Sequence, residues 1–272
     1  TAGSVSTPVE VYGGNAAHLA PYVPEKGYYT TILAICSDPT FNLYQNTCSS
    51  GMKLYGRGKN DARALGDGST TQRASNVAVN TAIMTAPDTE IFDVAGGWDL
   101  TLVRSTTGKL YAFGDNQYGG FGNAGTTSST VAVATTMSGA FASKIILQLR
   151  CAYHCLALTT DNVLIAWGWA QYSQYDGTGT SSSSPKVISV GAIGTKVMKL
   201  IETTTLSQYV VTQDGYMYGW GYNDFGQIGD GTLTTRTAPT QLAQTSGDWT
   251  SKGIIKLSGA SRAMFVLSIW NK

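Results

Sequence analysis

Along most of its length the chain alternates apolar and polar residues in short runs that end at Gly, Asp or Asn, and no long stretch of helical periodicity interrupts them. The runs fall into two recurring halves. One half spaces its apolar residues as in Ile91 to Val103, Ile145 to Leu158, Val197 to Val211 and Ile254 to Ser268, with a degenerate copy from Ile32 to Tyr44. The other half is a strand closing on glycine, as in "KLYAFG", "VLIAWG" and "YMYGWG", followed by a polar segment rich in turn residues. Its copies occupy residues 51–79, 108–133, 162–190 and 215–242, and a shorter relative, "VEVYGGN", stands at Val9 to Asn15.

The closing glycines are Gly13, Gly58, Gly114, Gly168 and Gly221, spaced by 45, 56, 54 and 53 residues. A period near 50 residues predicts a propeller or a related array. Each unit reads as about four short strands. The chain begins with the second half-motif and ends with the first, and the distance from Gly221 through the C-terminus to Gly13 is 64 residues, near one more period. The expected fold is therefore all-β: a single domain over 1–272, built as a five-bladed β-propeller whose N- and C-terminal strands share one blade. Closing the ring removes exposed strand edges. An open β-solenoid is the alternative, and it would require capping units that the matching incomplete ends do not suggest.

The stretch Asp214 to Pro239 and the segment Tyr153-His-Cys-Leu-Ala-Leu-Thr159 resemble the repeat of the regulator of chromosome condensation (RCC1) propellers, and the resemblance extends over nearly the whole chain. It implies a propeller of four-stranded blades. Members of that family usually have seven blades, so five is a departure. Function does not follow from the fold, because the family includes nucleotide-exchange factors, chromatin binders, enzyme inhibitors and virion or surface proteins.

The repeat residues have structural explanations. The glycines after Phe113, Trp167 and Trp220 are expected to permit a sharp turn or close packing between blades, with those aromatics as core between sheets. "GDGS" and "GDGT", at Asp67 and Asp230, read as turns in which Asp bonds its own following backbone and Gly takes positive φ; a calcium site there lacks local oxygen ligands.

Chemistry is sparse. The histidines are His18 and His154, no nucleophile, base and acid arrangement emerges from spacing, and there is no P-loop or G-x-G-x-x-G. Cys151-Ala-Tyr-His154-Cys155 lacks zinc spacing and a second ligand cluster, and His154 is expected to be structural. The reading is non-enzymatic, with no cofactor and no metal.

Eighteen basic and seventeen acidic residues leave a net charge of +1, and no Lys or Arg precedes Lys26, so no footprint for nucleic acid is present. No apolar run has membrane-helix length, so no membrane insertion is expected. The cysteines form two local pairs, Cys36 with Cys48 and Cys151 with Cys155, compatible with disulfides or with four buried thiols; the extra loop that carries Cys48 favours a disulfide more for the first pair. The first residue is Thr1, which suggests a processed product or a segment of a longer chain.

What remains is a set of aromatics in or beside turns. Trp98, Tyr153, Trp169, Tyr172 and Tyr175 are the candidate ligand-binding residues, the last three replacing the repeat's usual residues, while Tyr222 and Phe225 read as covers for the blade ends. Low charge and many Ser, Thr, Gly, Asn and Tyr suit a recognition or structural module displayed outside the cell or on a virion, as a fibre tip, spike or decoration protein. Its partner would be a protein or glycan surface, within an oligomeric assembly as one option. The alternatives are an intracellular regulatory propeller binding a GTPase or another protein, and a secreted enzyme inhibitor.

Overall fold

The computed structural model describes residues 17–20, 30–36, 52–85, 87–88, 91–172, 179–243, 254–259 and 263–268. Within them the chain forms antiparallel meanders that repeat along the sequence. The first sheet runs β1 (Ala17–Ala20), β2 (Thr30–Cys36), β3 (Met52–Gly58) and β4 (Arg73–Ala78). The second runs β5 (Ile91–Gly96), β6 (Leu100–Ser105), β7 (Leu110–Gly114) and β8 (Ser129–Ala134). The third contains β9 (Ile146–Cys151), β10 (His154–Thr159), β11 (Leu164–Gly168) and β12 (Ser182–Val187). The fourth contains β13 (Met198–Thr203), β14 (Ser207–Thr212), β15 (Met217–Gly221) and β16 (Arg236–Gln241), and β17 (Ile254–Gly259) pairs with β18 (Met264–Ser268).

The first strands of successive sheets touch in chain order: β1 meets β5, β5 meets β9, β9 meets β13 and β13 meets β17. This is the stacking of propeller blades. The strand Val9 to Asn15, expected to complete the fifth blade beside β17 and β18, lies outside the described residues. Blade one departs from the expected half-motif, because β2 overlaps only the start of the Ile32 to Tyr44 segment and its partner on one side is Ala17–Ala20 upstream. The run Ile32-Leu-Ala-Ile35 has strands on both sides, Ala17 facing Ile35 and Leu54 facing Ala34.

Burial within a blade is not the simple alternation of the sequence pattern. In blades two to four every residue of the second and third strands is buried, whereas the fourth strands are mostly half-buried or exposed. Inner strands lie between neighbouring blades and have no solvent face, so apolar residues on both sides are favoured. Phe113, Trp167 and Trp220 are fully buried, as expected, and each fills the gap toward the preceding blade. Trp167 stacks edge-on with Phe141 at 5.4 Å and donates its indole N–H to the carbonyl of Gly120 in blade two at 2.7 Å. A buried indole without such an acceptor would lose about 1–3 kcal/mol.

Candidate functional site

An antiparallel meander puts the first-to-second and third-to-fourth connections of every blade at the same end. One hydrogen bond ties them together in three blades: the residue after the closing glycine donates its N–H to the first connection, Asp115 to the Asp99 carbonyl at 2.7 Å, Trp169 to Tyr153 at 3.2 Å and Tyr222 to Leu206 at 3.0 Å. Glycine makes this approach possible. A Cβ on Gly114, at φ +107°, would lie 2.2 Å from the Asp99 carbonyl oxygen, and one on Gly221, at φ +105°, 2.4 Å from that of Leu206. The close packing expected between blades is at these two glycines a contact inside the blade.

The third-to-fourth connections of blades one, two and four are built around a buried asparagine. Asn223 accepts from the N–H of Ile228 at 2.9 Å and donates to Asp230 at 3.2 Å and to the carbonyls of Thr232 and Thr234 at 3.0 and 3.1 Å. Asn60 repeats the pattern with Leu65, Asp67, Ser69 and Thr71, and Asn116 with Phe121, Gly125 and Thr127. The expected Asp turns are present: Asp67 accepts from the Ser69 N–H and Asp230 from the Thr232 N–H, both at 3.0 Å, while Gly68 and Gly231 take φ of 83° and 82°. Burial alone would raise both carboxyls. Hydrogen bonds from Ser69 and Arg73, and from Thr232 and Arg236, outweigh it and hold them below the usual range. Arginine therefore occupies the carboxylates that a calcium ion would need. Among the described residues no group of three or more His, Cys, Asp or Glu could hold a metal ion.

Blade three breaks the pattern. Ala170 stands where the other blades have asparagine, buried, with its N–H donated to Ser181 Oγ at 3.2 Å. This connection carries Trp169 and Tyr172, which join aromatics of the adjacent blades in a continuous run. Trp98 stacks on Tyr153 at 4.7 Å, Tyr153 meets Trp169 at 5.3 Å, Trp169 meets Tyr172 at 5.8 Å, Tyr172 meets Tyr222 at 4.6 Å and Tyr222 meets Phe225 at 5.9 Å. Tyr118 branches from Trp169 at 6.0 Å. Four of the five ligand-binding candidates thus come together; Tyr175 lies outside the described residues. Tyr222 belongs to the run, and Phe225, expected as a cover, is 61% exposed beside it.

At the start of this run lies a cleft of about 300 Å³ whose lining includes the rings of Trp98, Tyr118, Tyr153 and Trp169 together with Asp99 and Asp115. Burial pushes the Asp99 carboxyl up to about 6, with repulsion from Asp115 and Asp61 adding to it and Lys59 opposing it. Asp99, Asp115 and Tyr118 were not singled out in the sequence. A signal existed for Tyr118, since it occupies the repeat position of Tyr172 and Phe225, two residues after the asparagine or its replacement.

The remaining candidates lie elsewhere. Cys151 and Cys155 face each other across β9 and β10 and form a disulfide, S–S 2.11 Å, around the Ala152-Tyr153 turn. Cys48 lies outside the described residues. His154 is fully buried, and neither ring nitrogen has a hydrogen-bond partner among the described residues. Desolvation lowers it to about 3, so the imidazole is neutral near pH 7 and is no proton shuttle.

Blades stacked in chain order, three of them with a glycine-tied double connection at one end, define a repeat β-propeller. Among such proteins the chain resembles those of RCC1 repeats: residues 214–262 and 93–119 match models of the regulator of chromosome condensation (RCC1) repeat. It is 29% identical over 84% of its length to the Ultraviolet-B receptor UVR8 of Arabidopsis thaliana, covering 50% of that protein, and 31% identical over 50% of its length to an RCC1 repeat-containing protein of Dictyostelium discoideum, covering 29% of it. The chain thus spans half or less of the curated relatives it matches. Two solved structures share the fold: human WBSCR16, TM-score 0.71 at 17% identity over 88% of this chain and 55% of that one, and Prp20p of Saccharomyces cerevisiae, TM-score 0.69 at 16% identity over 96% and 57%. No helix among the described residues is long and apolar enough to cross a membrane.

Proposed function

We propose that this propeller is a non-enzymatic protein-binding module of regulatory type, and that it docks its partner on the end of blades two to four that carries the aromatic run. The observation that carries this reading is the run itself. Six rings from Trp98 to Phe225 contact one another in series over connections of three blades, partly exposed, and large aromatics anchored in rigid connections are the residues that dominate protein interfaces. The relatives support binding in preference to catalysis: Prp20p was characterised for its binding to Gsp1p and histones and is also known bound to Kap60, and UVR8 is a receptor. They fit the intracellular alternative of the sequence reading better than display outside the cell or on a virion, and give no support to a glycan ligand.

The test is a crosslinking capture from the native source with the wild-type chain and with the Trp169→Ala, Tyr172→Ala double variant. The double variant is expected to keep its thermal midpoint within a few degrees and to lose the proteins that the wild type retains. An unchanged set of captured proteins would contradict the reading.

A further inference from the structure

We propose that the cleft lined by Trp98, Tyr118, Tyr153 and Trp169 is a receptor for an arginine side chain of the partner protein, held by the rings and by Asp99 and Asp115. This rests on the protein-binding reading of the aromatic end and names the chemistry that end selects. Three features of the cleft point to a cation. Aromatic faces attract positive charge, and the attraction grows when water is excluded. Both acidic side chains lining the cleft are unneutralised within it: no described residue donates a hydrogen bond to the Asp99 carboxyl, and the bonds Asp115 accepts, from Ser128 Oγ at 2.8 Å and the Gln117 N–H at 3.3 Å, both go to Oδ1. The neighbouring cation, Lys59, is paired with Asp61 at 2.8 Å.

Size and shape favour arginine. A cleft of about 300 Å³ accepts a whole guanidinium with its propyl stem. The guanidinium is planar, stacks on aromatic rings and bridges carboxylates with several donors at once, whereas an ammonium is a strongly hydrated point charge that gains less from a flat ring wall. The groups facing Asp99 from the adjoining elements are Asp115 in its own blade and Asp61 and Lys59 in blade one. Against the three carboxylates of this set stands one lysine, itself paired with Asp61, and bound arginine would supply further positive charge.

The experiment is a calorimetric titration of the whole chain with three blocked tripeptides, acetyl-Gly-Arg-Gly-amide and its lysine and citrulline counterparts, at pH 7.5 and pH 5. Citrulline keeps the shape of arginine without its charge. The arginine peptide is expected to saturate the protein, with the citrulline peptide at least about tenfold weaker and the lysine peptide weaker than arginine. Lowering the pH to 5 protonates Asp99 and is expected to weaken arginine binding severalfold in the wild type and much less in Asp99→Asn. Trp98→Ala is expected to weaken binding at both pH values, while Ile145→Ala, an exposed residue outside the cleft, leaves it unchanged. Near-ultraviolet circular dichroism establishes that each variant is folded. Equal affinity for arginine and citrulline, tighter binding of lysine, or no binding of the arginine peptide at millimolar concentration would overturn the proposal. If Trp169→Ala, Tyr172→Ala still loses its captured proteins, the protein-binding reading survives that failure; if it does not, both fall.

Discussion

The third-to-fourth connections of blades three and four start from the same frame and reach different ends. Both follow a buried tryptophan and a glycine at positive φ, and both tie their first N–H to the neighbouring connection. In blade four Asn223 then gathers four hydrogen bonds, and Asp230 and Arg236 pin the far side. In blade three Ala170 has no polar side chain to gather such bonds, and residues 173–178, which correspond to the Asp230 turn, lie outside the described residues. The surface aromatics therefore do not depend on the asparagine: blade four carries Tyr222 and Phe225 on an internally bonded connection, and blade three carries Trp169 and Tyr172 on one without that hub.

The sharpest way to break this contrast is to give blade four the residue that blade three already has. Asn223→Ala leaves the Ile228 N–H and the Thr232 and Thr234 carbonyls without their partner, and unfolding in urea is expected to show a loss of roughly 3 kcal/mol. The reverse change, Ala170→Asn, is expected to give no comparable gain, since Ala170 is fully buried and its N–H is already donated to Ser181 Oγ. A loss below about 1 kcal/mol for Asn223→Ala would remove the asparagine from its structural role.

Next in size is the disulfide beside blade three. Cys151 and Cys155 enclose a loop so short that cross-linking contributes only about 2 kcal/mol through the unfolded chain. Reduction is expected to lower stability by that amount and to alter the near-ultraviolet signal of Trp98, which stacks on Tyr153 inside the loop. An unchanged aromatic signal would show that the cross-link does not position Tyr153.

A third test uses pH. His154 and Ser207 occupy the same position in blades three and four, opposite Gly168 and Gly221. Since the folded imidazole sits near 3 and an unfolded one near 6.5, the unfolded chain binds the extra proton between those values, and stability falls as the pH drops below about 6.5. The slope from this residue approaches about 1.4 kcal/mol per pH unit. Asp99 acts with the opposite sign, because its folded carboxyl near 6 holds a proton that the unfolded one releases down to its ordinary value, so it adds stability as pH falls through 6. His154→Ser is expected to flatten the acid loss and Asp99→Asn to steepen it. The smallest effect belongs to the exposed end of the aromatic run: Phe225→Ala is expected to change stability by less than about 0.5 kcal/mol, as measured by thermal unfolding, because its ring remains largely in water.

Much of this molecule is legible in its sequence because its repeats report the same physics several times. The period near 50 residues, the closing glycines and the aromatic before them point to blades, and the four-stranded sheets and buried Phe113, Trp167 and Trp220 follow. Trp98, Tyr153, Trp169 and Tyr172 stand out as turn aromatics or as departures from the repeat, and they meet in space. Asp99 and Asp115 did not stand out, since an aspartate beside a turn is ordinary and only the meeting of two connections buries one against the other. Phe225 was misjudged for the opposite reason: it keeps the pattern, so it read as packing, yet the blade ends there and leaves the ring in solvent. The first blade was displaced because its opening strand, Ala17–Ala20, has no apolar periodicity to mark it.

The central claim is that partners dock on the end of the propeller bearing the aromatic run. The most direct measurement places a photoreactive phenylalanine analogue at Phe225 on that end and, in a second variant, at Tyr216 on the opposite end, both exposed, and compares crosslinked products in the native source. Adducts from position 225 and none from position 216 are the expected result. Adducts from position 216 alone, or equally from both, would contradict it.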